Sequence, residues 1–316
     1  MISNTSRPAR RVAAIDLGTN SVRLIVAEAD GPDTYRVLDD QREQTRLGFR
    51  LLETGRIDDS CAEATLAALR RMTAIAREFA VDELRAIGTA ALREATNGPQ
   101  FVEQARARFG LDIDVISPQQ EADLALRSVR RHFVLDRPTA IADIGGGSME
   151  VVFTTSGVID RIHSLPLGAV RLTERFVHSD PISESDWRAL CDGIDGELQD
   201  TIGRPPFFTP DLIGSGGTFT AMALMAIHDR HGEPGLVQGT SMTPADLEHE
   251  VRRLREATLS ERRQLAGLAP ERADIILAGA AAVARLGRWL RVERILLNDR
   301  GIRDGMVLEM ISRPGA

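Results

Sequence analysis

The stretch AAIDLGTNSVRLIVAE, residues 13–28, decides the fold because the acidic glycine loop at its centre occurs twice in the chain. The loop DLGTNS at 16–21 recurs as DIGGGS at 143–148, so that Asp16 and Asp143 stand 127 positions apart. A short apolar run precedes each copy and another follows it, which is the pattern of two strands joined by a tight turn. Each copy therefore predicts a β-hairpin with a carboxylate at the end of its first strand.

The segments after the two hairpins predict the same order of elements in both halves of the chain. A third strand follows each hairpin, and helices then alternate with short apolar runs that are typical of strands. The fold class we expect is therefore a duplicated α/β fold of two lobes, with an interdomain cleft where the glycine loops converge. We place the first lobe at residues 1–125 and the second at 126–302. A C-terminal helix at 303–316 is expected to pack back on the first lobe.

The chain contains no lysine, so all 39 of its Lys and Arg positions are arginine. This absence excludes a Walker-A phosphate loop, a protein-kinase ATP site and a Schiff-base enzyme, because each of them needs a lysine. Arginine binds oxyanions through a planar fork and keeps its charge over a wide pH range. A phosphate site in this chain must therefore use arginine, backbone N–H groups or a metal ion.

Composition narrows the class of protein further. The net charge of −7 argues against a general nucleic-acid-binding protein. Cys61 and Cys191 lie far apart and match neither a zinc-site nor a disulfide spacing. The most apolar run, 275–284, is too short to cross a bilayer, and the N-terminal residues lack the pattern of a signal peptide. We expect a cytoplasmic protein that binds neither membrane nor nucleic acid.

Glycine-rich loops are candidate phosphate sites because glycines let successive backbone N–H groups point at one anion. Three such loops lie at 18–21, 145–148 and 214–218. For Asp16 alone, capping of its own turn explains the residue equally well. For Asp143, the second carboxylate of Glu150 seven positions later favours a Mg²⁺ site at the mouth of a phosphate loop.

The segment SPQQE, residues 117–121, predicts a helix start that carries an additional carboxylate. Ser117 suits the N-cap, and Pro118 suits the first helical position, where no N–H is needed. Gln120 can return a hydrogen bond to the cap and complete a capping box. Glu121 then has no capping role, and its spacing alone favours a residue that complements the helix dipole.

Seven stretches, in order along nearly the whole chain, resemble the exopolyphosphatase / guanosine pentaphosphate phosphohydrolase (Ppx/GppA) family in its short two-domain form. They are AAIDLGTNSVRLIVAE (13–28), GTAALREATN (88–97), ISPQQEA (116–122), IADIGGGSMEVVF (141–153), SLPLGAVRLTERF (164–176), GSGGTFTA (214–221) and DRGIRDGMVLEM (299–310). The resemblance implies two ribonuclease-H-like lobes of the actin, Hsp70 and sugar-kinase superfamily that flank an active-site cleft.

The same resemblance implies roles for individual residues. Glu121 matches the catalytic carboxylate that activates water. Asp143 and Glu150 match acidic residues that hold a divalent cation, Mg²⁺ or Mn²⁺, and Asp16 is their counterpart in the first repeat. Arg93 occupies the position of a phosphate-contacting arginine. The other phosphate-binding residues implied are Gly18, Thr19, Asn20, Ser21, Gly145, Gly146, Gly147, Ser148, Gly216, Gly217 and Thr218.

The activity implied is release of terminal orthophosphate from inorganic polyphosphate, in a homodimer with a possible nucleotide effector. Three alternatives stay open: hydrolysis of pppGpp to ppGpp, an ATP-dependent small-molecule kinase, and a non-catalytic sensor of (p)ppGpp or polyphosphate. Pro118 and Gln120 depart from the Gly and Glu that are usual in the family. Candidate cationic tracks for a polyanion are the arginine clusters 127/130/131, 252/253/255 and 285/288/291.

Overall fold

Two mixed β-sheets form the framework of the described part of the chain, residues 9–232 and 235–313 of a computed structural model. The strands of the first sheet are β1 (Arg11–Leu17), β2 (Ser21–Ala29), β3 (Tyr35–Gln44), β4 (Glu83–Gly88) and β5 (Ile113–Val115). The strands of the second sheet are β6 (Thr139–Ile144), β7 (Met149–Thr155), β8 (Val158–Leu165), β9 (Asp211–Ser215), β10 (Ser241–Met242) and β11 (Arg294–Leu297).

Both sheets are built on one plan. The first has the strand order β3-β2-β1-β4-β5 and the second the order β10-β11-β9-β6-β7-β8. In each, an antiparallel meander of three strands continues into parallel strands beside its first strand, β4 next to β1 and β9 next to β6. This repeated order confirms a duplicated α/β fold of two lobes with a cleft between them.

Helices cover both sheets. In the described residues they are α1 (Leu51–Thr54), α2 (Asp59–Glu78), α3 (Ala90–Glu94), α4 (Gly98–Phe109), α5 (Pro118–His132), α6 (Ala169–Phe176), α7 (Glu184–Thr201), α8 (Gly217–His231), α9 (Pro244–Glu256), α10 (Leu259–Arg262), α11 (Ile276–Leu290) and α12 (Gly301–Ser312), with a 3₁₀ turn at Pro270–Arg272. None of these described helices combines the length and apolarity needed to cross a membrane.

Strand β1 is central in its sheet and is covered on both faces. Ile15 belongs to the core formed with Leu66 of α2, whereas Val12 packs in a second core with Met306 of α12. A strand that is buried on both faces needs a continuous apolar run rather than alternation. The run VAAI at 12–15 therefore fixes β1 in the middle of the sheet, and its acidic end lies at the cleft.

Helices α5 and α12 each connect the two lobes. Ala122 and Leu126 of α5 pack against Ile141 of the second sheet, whereas α12, which follows the last strand of the second sheet, packs on the first sheet. Residue 125, the expected lobe boundary, lies inside α5. Of the expected C-terminal helix, α12 covers 301–312, and residues 314–316 lie outside the described residues.

The crossing of α5 and α12 brings their backbones into contact at Gly305. A Cβ atom at this position would lie 2.1 Å from the Leu124 carbonyl oxygen, which is backbone and has little freedom to move. We expect Gly305→Ala to lower the free energy of unfolding by about 1–3 kcal/mol, because the two helices must separate. Gly196→Ala is the matched control, since a Cβ there would meet nothing within 4 Å.

Alanine at position 196 should raise the free energy of unfolding by about 0.5–1 kcal/mol through helix propensity alone. Urea denaturation of the two variants measures the difference. Equal stability of the two variants would show that the helices α5 and α12 are not in backbone contact.

Candidate active site

Three glycine loops meet at the cleft between the lobes. A Cβ on Gly147, in the β6–β7 loop, would lie 2.7 Å from Thr19 Oγ1 of the β1–β2 loop, so the two hairpin loops touch across the cleft. Ten of the predicted phosphate-binding residues line one pocket there: Gly18, Thr19, Asn20, Ser21, Gly145, Gly146, Gly147, Ser148, Gly216 and Gly217. The convergence predicted from the repeat is therefore present in the structure.

Gly216 shows why the third loop requires glycine. Its φ is +92°, a conformation that L side chains rarely adopt. A Cβ there would also lie 2.5 Å from the Ile144 carbonyl oxygen and 2.7 Å from Asp143 Oδ1. The glycine thus lets the start of α8 approach the end of β6 closely, and Ser215, just before it, donates a hydrogen bond of 2.8 Å from Oγ to Asp143 Oδ2.

The two hairpins place different charges opposite their first acidic residues. Strand register pairs Asp143 with Glu150 on β7, and it pairs Asp16 with Arg23 on β2. The repeat offset of 127 residues maps Glu150 onto Arg23. One hairpin therefore contributes a carboxylate pair to the pocket, and the other contributes a carboxylate with a guanidinium group.

Glu121 reaches the pocket from the first turn of α5. The predicted capping box is present: Gln120 N donates to Ser117 Oγ at 3.2 Å, and Ser117 N donates to Gln120 Oε1 at 2.9 Å. Because those groups satisfy the helix start, Glu121 is free to face the pocket, where its side chain is only 7% exposed. Arg93 Nη1 donates to Glu121 Oε2 at 3.2 Å and holds the carboxylate.

Burial raises the pKa of four of the carboxylates that line the pocket. Desolvation is the main cause for Asp16 and Asp143. For Glu150, burial and then the charge of Asp143 raise the pKa to about 7. For Glu121, burial and then the charge of Glu150 raise the pKa well above its ordinary value. Four such carboxylates in one pocket, with Glu121 and Glu150 buried and Asp16 and Asp143 half-buried, are typical of a site that binds a cation.

The acidic residues fit a hard divalent cation. Asp16 Oδ1 is buried and has no hydrogen-bond partner among the described residues, so one of its lone pairs is available for a ligand. Glu150 Oε1 accepts a 2.9 Å hydrogen bond from Ser164 Oγ, which orients that carboxylate. Carboxylate oxygens are the ligands that Mg²⁺ and Mn²⁺ prefer. Asp16, Asp143 and Glu150 are the residues that would hold such an ion.

Arg93 and Thr218 are predicted to bind phosphate and should therefore line the pocket. In the structure both lie outside the pocket lining. Arg93 is behind Glu121, and its Nη1 also donates to the Ile116 carbonyl oxygen at 2.9 Å. Thr218 is completely buried, one residue beyond the glycines that line the pocket. In this arrangement Arg93 contacts the predicted catalytic carboxylate.

An arginine cluster that sequence reasoning missed completes the pocket. It consists of Arg23, Arg42, Arg272 and Arg303, of which all but Arg42 line the pocket directly. Burial, and then the charges of neighbouring arginines, lower the pKa of Arg23 to about 10 and of Arg272 to about 9. Arg272 Nε is buried with no hydrogen-bond partner among the described residues. Closely spaced cations of this kind, of which Arg272 is buried and Arg23 and Arg303 are half-buried, fit a ligand with several negative charges.

Only part of this cluster had a signal in the sequence. Arg23 lies two positions after the loop residue Ser21, so both point to the same face of β2. Arg272 ends the short 3₁₀ turn at Pro270–Arg272, and the glycine that makes room for it is distant in sequence: a Cβ on Gly217 would be 2.3 Å from Arg272 Nη1. The pocket lining includes no member of the three clusters proposed from helical spacing. Members of those clusters instead pair with carboxylates elsewhere, as Arg253 does with Asp229.

Comparison with known proteins identifies the family. The sequence model of the Ppx/GppA phosphatase family matches residues 24–313. The chain belongs to this family. Exopolyphosphatase 2 of Mycobacterium tuberculosis is 29% identical over 314 residues, which cover 95% of this chain and 98% of that protein. A guanosine-5'-triphosphate,3'-diphosphate pyrophosphatase of Photobacterium profundum is 26% identical over 305 residues, which cover 95% of this chain and 59% of that protein.

A solved structure supports the same assignment. The crystal structure of the Aquifex aeolicus member of the Ppx/GppA family superposes with a TM-score of 0.81 at 29% sequence identity, covering 96% of this chain and 98% of that chain. Family membership and fold, both inferred from sequence motifs, are thus confirmed, as is the prediction of a phosphohydrolase.

Proposed function

We propose that this Ppx/GppA phosphatase is an exopolyphosphatase, which hydrolyses the terminal phosphoanhydride of inorganic polyphosphate and releases orthophosphate. The observation that carries the proposal is the position of Glu121. It is a buried carboxylate that faces one pocket with acidic residues, glycine loops and an arginine cluster. Hydrolysis of a phosphoanhydride requires positioning of water and neutralisation of charge more than covalent chemistry.

The acidic side of the pocket would hold Mg²⁺ or Mn²⁺ through Asp16, Asp143 and Glu150. When bound, such an ion neutralises phosphate oxygens and favours deprotonation of water. The carboxylate of Glu150 is fixed for this purpose by Ser164, and that of Asp143 by Ser215.

Glu121 is the proposed general base. Burial and repulsion raise its pKa, which makes the ionised carboxylate a better proton acceptor than an exposed glutamate. Arg93 restricts the carboxylate to one orientation through its bond to Oε2. The departures at Pro118 and Gln120 are compatible with this role, since both residues serve the helix start that presents Glu121.

The rest of the pocket would bind the phosphate chain. Backbone N–H groups of the glycine loops suit the terminal phosphate, as in other anion nests. The arginine cluster suits the phosphates that follow, because guanidinium groups bind phosphate oxygens in pairs. No aromatic side chain lies among the described residues that line the pocket, which favours a linear polyphosphate over a ligand with a purine base. Hydrolysis of pppGpp, the activity named for the Photobacterium profundum relative, is the second candidate because it breaks the same type of bond.

A panel of substrates tests the proposal. Phosphate release is measured with Mg²⁺ and, separately, tripolyphosphate, long-chain polyphosphate, pppGpp and ATP. We expect kcat/KM to be at least about tenfold higher for a polyphosphate than for pppGpp or ATP, and expect chelation of the metal to abolish release. Preference for pppGpp would select the second candidate. Transfer of phosphate from ATP to a small acceptor would indicate a kinase, and absence of release from every substrate would indicate a sensor.

A further inference from the structure

The end of β3 forms a bridge to the second lobe beside the arginine cluster. Gln44 Nε2 donates to the Glu271 carbonyl oxygen at 2.7 Å, and Arg42 Nη1 lies 3.7 Å from Glu271 Oε1. Arg46 Nη2 lies 2.7 Å from Asp274 Oδ2. We refer to these three contacts, from Arg42, Gln44 and Arg46 to Glu271 and Asp274, as the inter-lobe bridge.

The inter-lobe bridge adjoins the wall of the pocket. Gln44 Nε2 lies 3.4 Å from Asn20 Oδ1, and Arg46 N donates to the Asn20 carbonyl oxygen at 3.0 Å. Asn20 lines the pocket, as does Arg272, which stands between Glu271 and Asp274 in the chain. The bridge therefore closes the cleft on the side where the arginine cluster lies.

Charged residues continue from the pocket into the inter-lobe bridge. Arg23 and Arg272 line the pocket together with Asp16 and Asp143. Glu271 adjoins Arg272 in the chain, Asp274 follows two positions after Arg272, and both lie outside the pocket lining. A phosphate chain that extends beyond Arg272 on this side of the cleft therefore meets two carboxylates.

These carboxylates would oppose a longer chain. The side chain of Asp274 is 26% exposed, and its Oδ1 is buried without a hydrogen-bond partner among the described residues. Because Oδ2 is paired with Arg46, a phosphate chain that displaced Arg46 would leave the Asp274 charge with little water to screen it. The bridge also occupies the guanidinium groups of Arg42 and Arg46, which would otherwise be available to additional phosphates.

We propose that the inter-lobe bridge determines chain length, so that the site favours short linear phosphates over long polyphosphate. The inference rests on the proposed function, because it states which lengths of polyphosphate the proposed active site accepts. Short chains end at Arg23, Arg272 and Arg303, which line the pocket, whereas long chains must displace Arg42 and Arg46 from Glu271 and Asp274 and pass two negative charges.

The test compares affinities in a Glu121→Gln background, where turnover is expected to be at least about 100-fold slower. Calorimetry measures binding of tripolyphosphate and of a polyphosphate of roughly 100 units, before and after the double change Glu271→Gln and Asp274→Asn. We expect the parent to bind tripolyphosphate more tightly per chain. The double variant should improve long-chain affinity about tenfold, because two negative charges that repel the chain are removed, and should change tripolyphosphate affinity less than threefold.

Glu63→Gln is the control, because it removes one carboxylate of an exposed ion pair, with Arg108, outside the pocket lining. An unchanged ratio of long-chain to short-chain affinity in the double variant would overturn the role of the bridge, as would tighter long-chain binding by the parent. Phosphate release by the chain with Glu121 intact is measured in parallel. Its absence would refute the proposed function, while the affinity ratio would still decide the role of the bridge.

Discussion

Glu121→Gln should lower kcat at least about 100-fold and leave KM within about threefold, because the amide keeps the shape of the side chain but cannot accept a proton from water. The same change should raise the melting temperature. Burial and Glu150 raise the pKa of Glu121, so at pH 7 its ionised form is disfavoured by the fold, and a neutral isostere removes that cost. Initial rates over a substrate series and a thermal melt of each protein measure both effects.

The control for this experiment is Asp123→Asn, two positions later on the exposed face of the same helix. It removes a carboxylate from α5 without touching the pocket lining, so kcat should stay within about twofold of the parent. A Glu121→Gln enzyme with kcat near that of the Asp123→Asn enzyme would remove Glu121 from the mechanism. If the melting temperature of the Glu121→Gln enzyme fell together with kcat, the loss of activity would instead be due to a destabilised fold.

The parts of the site that sequence predicts are those coded by short segments. The hairpin repeat predicts the meeting of the glycine loops, because each loop is set by its own strands. The capping residues Ser117 and Gln120 predict the presentation of Glu121, because a helix start is a local structure. Local physics thus accounts for the carboxylates and for the phosphate loops.

The positions of the arginines in the site could not be predicted from the sequence. Arg93 belongs to a recognisable motif, yet its guanidinium group contacts Glu121, and that contact depends on how β4, α3 and α5 pack. Arg272 has no local pattern, and its place in the pocket depends on Gly217, which is 55 positions away. The three helical clusters had clear spacing, but spacing defines a face of a helix and not the surface that the face meets.

Arg272→Met should make the protein more stable and less active. Arg272 is 7% exposed, and burial together with Arg42 and Arg23 lowers its pKa to about 9, so its charge at pH 7 costs stability. Methionine has similar length and no charge, and we expect it to raise the melting temperature by about 2–4 °C, equivalent to about 1 kcal/mol. Because a charge-assisted hydrogen bond to phosphate is worth about 1.5–3 kcal/mol, kcat/KM for tripolyphosphate should fall about 10- to 100-fold.

A matched control separates binding from stability. Arg262 is also a buried arginine with an unpaired Nε, but it pairs with Asp180 and lies outside the pocket lining. Arg262→Met should therefore keep kcat/KM within about threefold. Tripolyphosphate should raise the melting temperature of the parent and of the Arg262 variant, because a ligand stabilises the folded state that binds it. The melting temperature of the Arg272 variant should rise much less, because that variant binds tripolyphosphate more weakly. An Arg272→Met enzyme with normal kcat/KM would show that this guanidinium group does not contact the phosphate chain.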